Sequence, residues 1–182
     1  MQIFQTEFSL DLMRLLPLGL VLLAVQLNAA ERPFDYPVAS RRAEFEAIFT
    51  KTDYAESKRE GTKLAIKGRD GKILFEHELD RDVARNAEWT HDSKFLVVTA
   101  QNGGRHQPWH YRVYVFSLDA REIREFEEPK NTPVVVSGEM FFQPPHTVIL
   151  ICHTFEHHME APEDPVLLRF DLAALWPKLQ KV

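Results

Sequence analysis

The stretch WTHDSKFLVVTA, Trp89 to Ala100, sets an aromatic residue before a polar turn and follows it with an apolar run. The same plan returns in FQPPHTVILICH, Phe142 to His153, at an offset of 53 residues. Further along, VYVFSLDA from Val113 lies over LLRFDLAA from Leu167 at an offset of 54, matching Phe116 to Phe170 and Leu118 to Leu172. Near-equal offsets in two separate places are what a tandem unit of four strands produces.

Outward from this unit the chain reads as strands. TKLAIKGRDGKILFEHEL, Thr62 to Leu79, is two extended runs around an Asp70-Gly71 turn, which is hairpin chemistry. YRVYVFSL and REIREFE flank Asp119-Ala120 as a second hairpin, and TPVVVSGEMFFQ, TVILICHTF and PVLLRFDL follow. Two segments depart from this texture. SRRAEFEAIFTK places Ala43, Phe45, Ala47, Ile48 and Phe49 along one helical face, with Ser40 as N-cap, and predicts a short N-terminal helix. AALWPKL, Ala173 to Leu179, predicts a short amphipathic helix at the C-terminus. The expected fold is mainly β: an antiparallel meander, arranged as an open stack of hairpin sheets or a sandwich.

AEWTHDSKFLVVTA and YRVYVFSLDAREIREF together resemble one blade of the WD-repeat and TolB-like β-propeller families. Blades of those families commonly read Trp-Ser-Pro-Asp-Gly-Lys, then an apolar strand, then a "vyvydl" strand and a charged turn. Here Trp89, Asp92 and Lys94 hold their places, while His91 and Ser93 replace the proline and the glycine. The Gly-His and Trp-Asp dipeptides of a strict WD repeat are absent. The resemblance covers residues 87–126 well and a second unit loosely. It implies propeller-blade-like hairpins and says almost nothing of activity, because propellers serve both as platforms and as enzymes. A closed propeller needs at least four blades of about 40–50 residues, and the region from Gly61 to Leu172 holds about two and a half. That favours the open stack or the sandwich; half of a composite propeller, completed by a partner, is the remaining alternative.

The N-terminus carries an address. MRLLPLGLVLLAVQLNAA has one positive charge, an apolar run from Leu15 to Leu27 and small residues at Ala29 and Ala30, the three parts of a secretory signal peptide. Glu7 and Asp11 put negative charge where the first of those parts should be positive, so Met13 is the expected start of translation. The apolar run falls short of the roughly 20 residues a spanning helix needs, and no lipobox cysteine follows it. The expected organisation is a signal peptide over residues 1–30, a proline-broken lead-in and short helix over 31–60, and a mainly-β domain with two blade-like repeats over 61–182. The expected location is secreted or periplasmic, with no stable membrane insertion after cleavage. Without Glu7, Asp11 and Arg14 the chain keeps 25 acidic and 21 basic residues. No clustered basic face accompanies that balance, which argues against nucleic acid as a partner. The single cysteine, Cys152, lies in the apolar run TVILICHT and reads as a buried small hydrophobe.

Two histidine-bearing stretches are the candidates for function. In QNGGRHQPWHYRVYVF, His106 and His110 stand four apart, a spacing that binds zinc on a helix. Pro108 between them forces Gln107 into an extended conformation and removes the helical geometry. HTFEH, His153 to His157, fits the H-x-x-E-H pattern of the inverzincin peptidases. That family's further acidic ligand lies many tens of residues downstream, and only 25 residues follow His157. The stretch also continues a strand, on which the two histidines would stand about 13 Å apart. His106, His110, His146, His153, His157 and His158 all lie in or beside loops after blade strands. If the two units pack side by side, the histidine loops emerge from one edge, where imidazoles with Glu156 or Glu160 would suit zinc or copper.

No Gly-x-Ser-x-Gly elbow, phosphate loop or Gly-x-Gly-x-x-Gly fingerprint occurs, and nothing in the sequence argues for catalysis. The leading expectation is an exported, non-catalytic binding module for an unknown protein or small molecule, with no cofactor. Its expected surface is Gln107, Trp109, His110 and Tyr111, since Trp and Tyr anchor interfaces. The alternative is a metal-binding protein or metal-dependent hydrolase using His106, His110, His153 and His157.

Overall fold

The computed structural model describes residues 37–54, 59–79, 82–102, 111–126, 134–154 and 166–182. The signal-peptide and start-site assignments therefore lie outside the described residues.

Three antiparallel sheets follow one another along the chain. The first has the order β1 (Pro37–Ala39), β2 (Phe45–Tyr54), β3 (Arg59–Gly68), β4 (Ile73–Leu79). The second is a meander of β5 (Asp82–Trp89), β6 (Phe95–Asn102), β7 (Tyr111–Ser117) and β8 (Glu122–Phe126), to which the last strand, β12 (Gln180–Lys181), adds beside β8. The third is β9 (Val134–Gln143), β10 (Thr147–Thr154) and β11 (Val166–Asp171). A one-turn helix, α1 (Leu172–Leu175), and a 3-10 turn at Trp176–Lys178 lead into β12. The fold is the expected mainly-β meander in an open stack, with the short C-terminal helix in place.

Period-two alternation sorts the side chains of the second sheet into two cores. Leu96, Val98, Ala100, Tyr114 and Phe116 join Ala47, Phe49, Leu64, Ile66 and Leu79 of the first sheet. Phe95, Val97, Val113 and Val115 join Val136, Met140, Val148, Leu150 and Cys152 of the third. The second sheet is thus the middle layer, buried on both faces, which is why FLVV and VYVF read as unbroken apolar runs. Each fully buried Leu, Ile or Phe in these layers contributes about 1.5–3 kcal/mol. Cys152 is a core residue with 1% of its surface exposed.

The predicted N-terminal helix is a strand. Ala47 and Phe49 of β2 are buried in the first core, while Ile48 between them faces outward. Residues 43, 45, 47 and 49 fit period two as well as they fit a helical face, and pairing with β1 on one side and β3 on the other decides between them. Ser40 caps a turn, not a helix: its hydroxyl accepts the Phe45 N–H at 3.1 Å. The proline-broken lead-in, for its part, already supplies β1.

That turn recurs fifty residues on. Ser40 N–H donates to Phe45 O and Ala43 N–H to Ser40 O, both at 2.8 Å; Thr90 N–H donates to Phe95 O at 2.8 Å and Ser93 N–H to Thr90 O at 2.9 Å. Phe95 N–H reaches the Thr90 hydroxyl as Phe45 N–H reaches that of Ser40. Ala43 and Ser93 both sit at positive φ, +52° and +60°. The next hairpin turns match as well, with positive φ at Gly71 and Arg121. The 53- and 54-residue offsets read from the sequence carry β6 onto β10 and β7 onto β11.

Candidate functional site

At one end of the stack the turns before β2, β6 and β10 interlock. Arg41 Nη2 lies 3.1 Å from His91 Nε2, joining the first turn to the second. The second is fixed to the third by two contacts: Asp92 N–H donates to Pro145 O at 3.2 Å, and Asp92 Oδ2 lies 3.0 Å from His146 Nδ1. His146 Nε2 in turn lies 3.4 Å from Asp171 Oδ1. The main chain of His146 is also used, since Leu172 N–H donates to its carbonyl at 3.1 Å. Asp171 is the N-cap of α1, accepting the Ala174 N–H at 3.1 Å.

This Asp–His–Asp row invites a catalytic or metal reading, and its geometry answers it. Burial opposes the charge on Asp92, but hydrogen bonds from the Thr90 hydroxyl, His146 and the Lys94 N–H outweigh it and hold the carboxyl below its ordinary range. Both imidazole nitrogens of His146 face carboxylates that are themselves held by neighbouring main-chain groups, Asp92 by the Lys94 N–H and Asp171 by the Ala174 N–H. Among the described residues no group of three His, Cys, Asp or Glu side chains is placed to hold a metal ion. The row is a latch between the second and third sheets.

The opposite end of the stack holds a second polar group. Asp82, which opens β5, is 1% exposed. Its Oδ2 accepts from Tyr114 Oη at 2.5 Å and from Arg112 Nη1 at 3.3 Å. Arg112 Nε continues to Glu125 Oε1 at 3.4 Å. Burial first, and then the bond to Asp82, push the Tyr114 phenol well above its usual range, so it stays a donor at any physiological pH. Asp82 Oδ1 has no hydrogen-bond partner among the described residues.

Of the sequence-derived candidates, Tyr111 and His153 lie at or near this second end. Asn102, Tyr111, Thr154 and Val166, which end β6, open β7, end β10 and open β11, lie away from the interlocked turns. Tyr111 is half-buried against the second core. Its ring covers Gly138, where an added Cβ would come within 2.7 Å of Tyr111 Cε1. His153 is placed on β10 opposite Val135. Gln107, Trp109, His106, His110, Glu156, His157, His158 and Glu160 lie outside the described residues. His146 sits in the turn before β10, at the far end of that strand from His153. Setting His146 in a loop at the same edge as His153 is therefore corrected. Asp92 had a sequence signal, since the 53-residue offset lays its turn onto the turn before β10, and Asp171 had none. Asp82 had none, because only the packing of Tyr114 onto it marks it out.

No protein-family model and no curated protein matches the chain. Among solved structures, it is similar to one described as a "putative conserved lipoprotein" from Clostridium novyi NT, at a TM-score of 0.53 and 13% identity, over 79% of this chain and 91% of that one. That likeness extends to the fold alone. Puromycin hydrolase aligns at a TM-score of 0.29 and 12% identity, over 80% of this chain and 28% of its own. Among the described residues no helix is long and apolar enough to cross a membrane.

Proposed function

We propose that the chain is an exported, non-catalytic binding module that recognises its partner at the end of the stack opposite the turn latch. One observation carries this reading. At the latch end Arg41, Asp92, His146 and Asp171 are committed to one another and to the main chain, whereas β6 and β10 end, and β7 and β11 begin, at the other. Connections held on a rigid sheet scaffold are where recognition residues accumulate. Gln107, Trp109, His110 and Tyr111 supply the contacts, with Trp109 as the anchor. The blade-like resemblance fits such a platform, as propeller units commonly present their connections to ligands.

The test is capture from the compartment the leader addresses, using the tagged wild type and two variants. Trp109→Ala abolishes partner capture and His153→Ala leaves it within about threefold. Native mass spectrometry of the same samples covers the competing reading. A stoichiometric zinc or copper adduct, lost on His106→Ala and on His153→Ala but kept on Trp109→Ala, would replace the binding module with a metal protein.

A further inference from the structure

The two outer faces of the stack are chemically unlike. On the first sheet the outward positions of β2, β3 and β4 include Glu46, Lys63, Lys67 and Glu76, with Lys63 Nζ bound to Glu76 Oε1 at 2.9 Å. That is a solvated surface. On the third sheet, Val166, Leu168 and Phe170 of β11 point into the core, and so does Met140 of β9. Their neighbours point out: Phe141 is 39% exposed and Leu167 61%. Ile149 and Ile151 stand between them on β10, paired with Phe141 and Leu167. This is a contiguous apolar patch of four side chains, and two of them are among the few large hydrophobic residues that the described chain exposes.

Two charges complete the patch. Arg169 pairs with Ile149, on the far side of it from Phe141. Glu139, exposed and two residues before Phe141, belongs to the three-residue bulge of β9 that faces Ile151, between Met140 opposite Leu150 and Val136 opposite Cys152. The six residues form a rectangle roughly 10 Å across the strands and 7 Å along them. Phe141 and Leu167 occupy one pair of opposite corners; Glu139 and Arg169 occupy the other.

We propose that this face binds the same face of a second copy of the chain, about a two-fold axis along the Phe141–Leu167 diagonal. A symmetric face-to-face contact requires an axis in the interface plane, and its direction decides what meets what. An axis along the strands sets Arg169 over the partner copy's phenylalanine and Glu139 over its leucine. An axis across the strands sets Glu139 over the phenylalanine and Arg169 over the leucine. The diagonal through the charges sets like on like. Only the diagonal through Phe141 and Leu167 brings each glutamate within side-chain reach of the opposite arginine, stacks Phe141 on Phe141 and Leu167 on Leu167, and closes the patch completely. The strands of the two copies then cross at near right angles, one of the two established ways for sheets to pack. The first sheet's outer face takes no part, because covering it would strip water from Glu46, Lys63, Lys67 and Glu76. The association is therefore a closed dimer, not a filament. A patch this small lies well below the roughly 800 Å² per partner of a stable complex, so the dimer is weak and reversible, with Kd on the order of 10–100 μM.

Sedimentation equilibrium of the purified chain, in the form recovered from cells, tests this between about 5 and 500 μM. Wild type passes from monomer to dimer across that range. Glu139→Arg alone and Arg169→Glu alone each weaken association about tenfold or more, because each sets like charges face to face twice. An equimolar mixture of the two variants, and the double variant E139R/R169E by itself, return to within about threefold of wild type. Leu167→Glu keeps the monomer's circular dichroism and does not associate. A wild type that stays monomeric at 500 μM overturns the proposal, as does a dimer that survives Leu167→Glu. Dimerisation without rescue in the mixture overturns the diagonal axis.

Discussion

His77 illustrates how a single side chain ties the first core to pH. Its ring stacks on Phe75 at 6.1 Å, and Phe75 lies 4.7 Å from Phe116 of the middle sheet. Burial pulls the imidazole below its ordinary value of 6.5, and the Glu78 carboxylate offsets only part of that. The unfolded chain therefore binds the proton first, at about pH 6.5, and folding is opposed as the pH falls from there towards the folded value. The full contribution is present above about pH 7. Urea midpoints measured from pH 8 to pH 5 should fall across that window in the wild type and fall less in His77→Gln; equal slopes in the two proteins would remove His77 as the cause. The hydroxyls of Ser40 and Thr90 make the complementary point. They perform the same service in equivalent turns, but Ser40 also satisfies every rule for a helix N-cap. A residue that serves two structures equally well does not say which one it is in.

At the level of elements, the bulge in β9 sets the position of Tyr111. Between Met140 opposite Leu150 and Val136 opposite Cys152 the register slips, and Gly138 within the slip adopts φ +86°. The Thr99 hydroxyl donates to Gly138 O at 3.0 Å, so the middle sheet holds the bulge from the other side. Gly138→Ala adds a strained φ and a Cβ inside the Tyr111 ring, and should cost roughly 2–4 kcal/mol. In a Tyr111→Ala background the same change should cost only the strain, roughly 1–2 kcal/mol. Additive losses in that double-mutant cycle would show that ring and glycine do not meet. Bulges also account for what was hard to read. Hairpins with Asp70-Gly71 and Asp119-Ala120 between alternating runs were legible, as were the turn after Trp89 and the C-terminal helix. In β5 the register slips between Ala84 and Asn86, which breaks the alternation of DVARNAEW and hides a strand that is buried for most of its length. The fifty-residue repeat was hidden too, because its first turn keeps only a hydroxyl and a phenylalanine in common with its second. The ends of β6, β7, β10 and β11 were legible as loop positions; which end of the stack His146 occupies was not, since a turn and a loop look alike until the sheets are stacked.

The molecule as a whole is held from its middle. The second sheet shares one core with each neighbour, so opening either outer sheet leaves it half-covered, while opening it uncovers both. Amides of β6 and β7 should therefore exchange with solvent last, near the global unfolding limit, and those of β4 and β11 at the edges should exchange first. Equal protection across the three sheets would contradict this layering. The middle sheet is also the one that β12 completes. β12 pairs with β8, Lys181 binds Glu122 at 3.0 Å, the Arg124 guanidinium lies 4.5 Å over the Trp176 ring, and Leu179 is buried in the second core. A chain made or threaded from its N-terminus delivers those residues after every strand they complete. The sheet that anchors both cores keeps an open, pairing-competent edge along β8 until Gln180 and Lys181 arrive. Displacing residues 179–181 from the sheet would therefore leave both cores formed and the middle of the molecule adhesive.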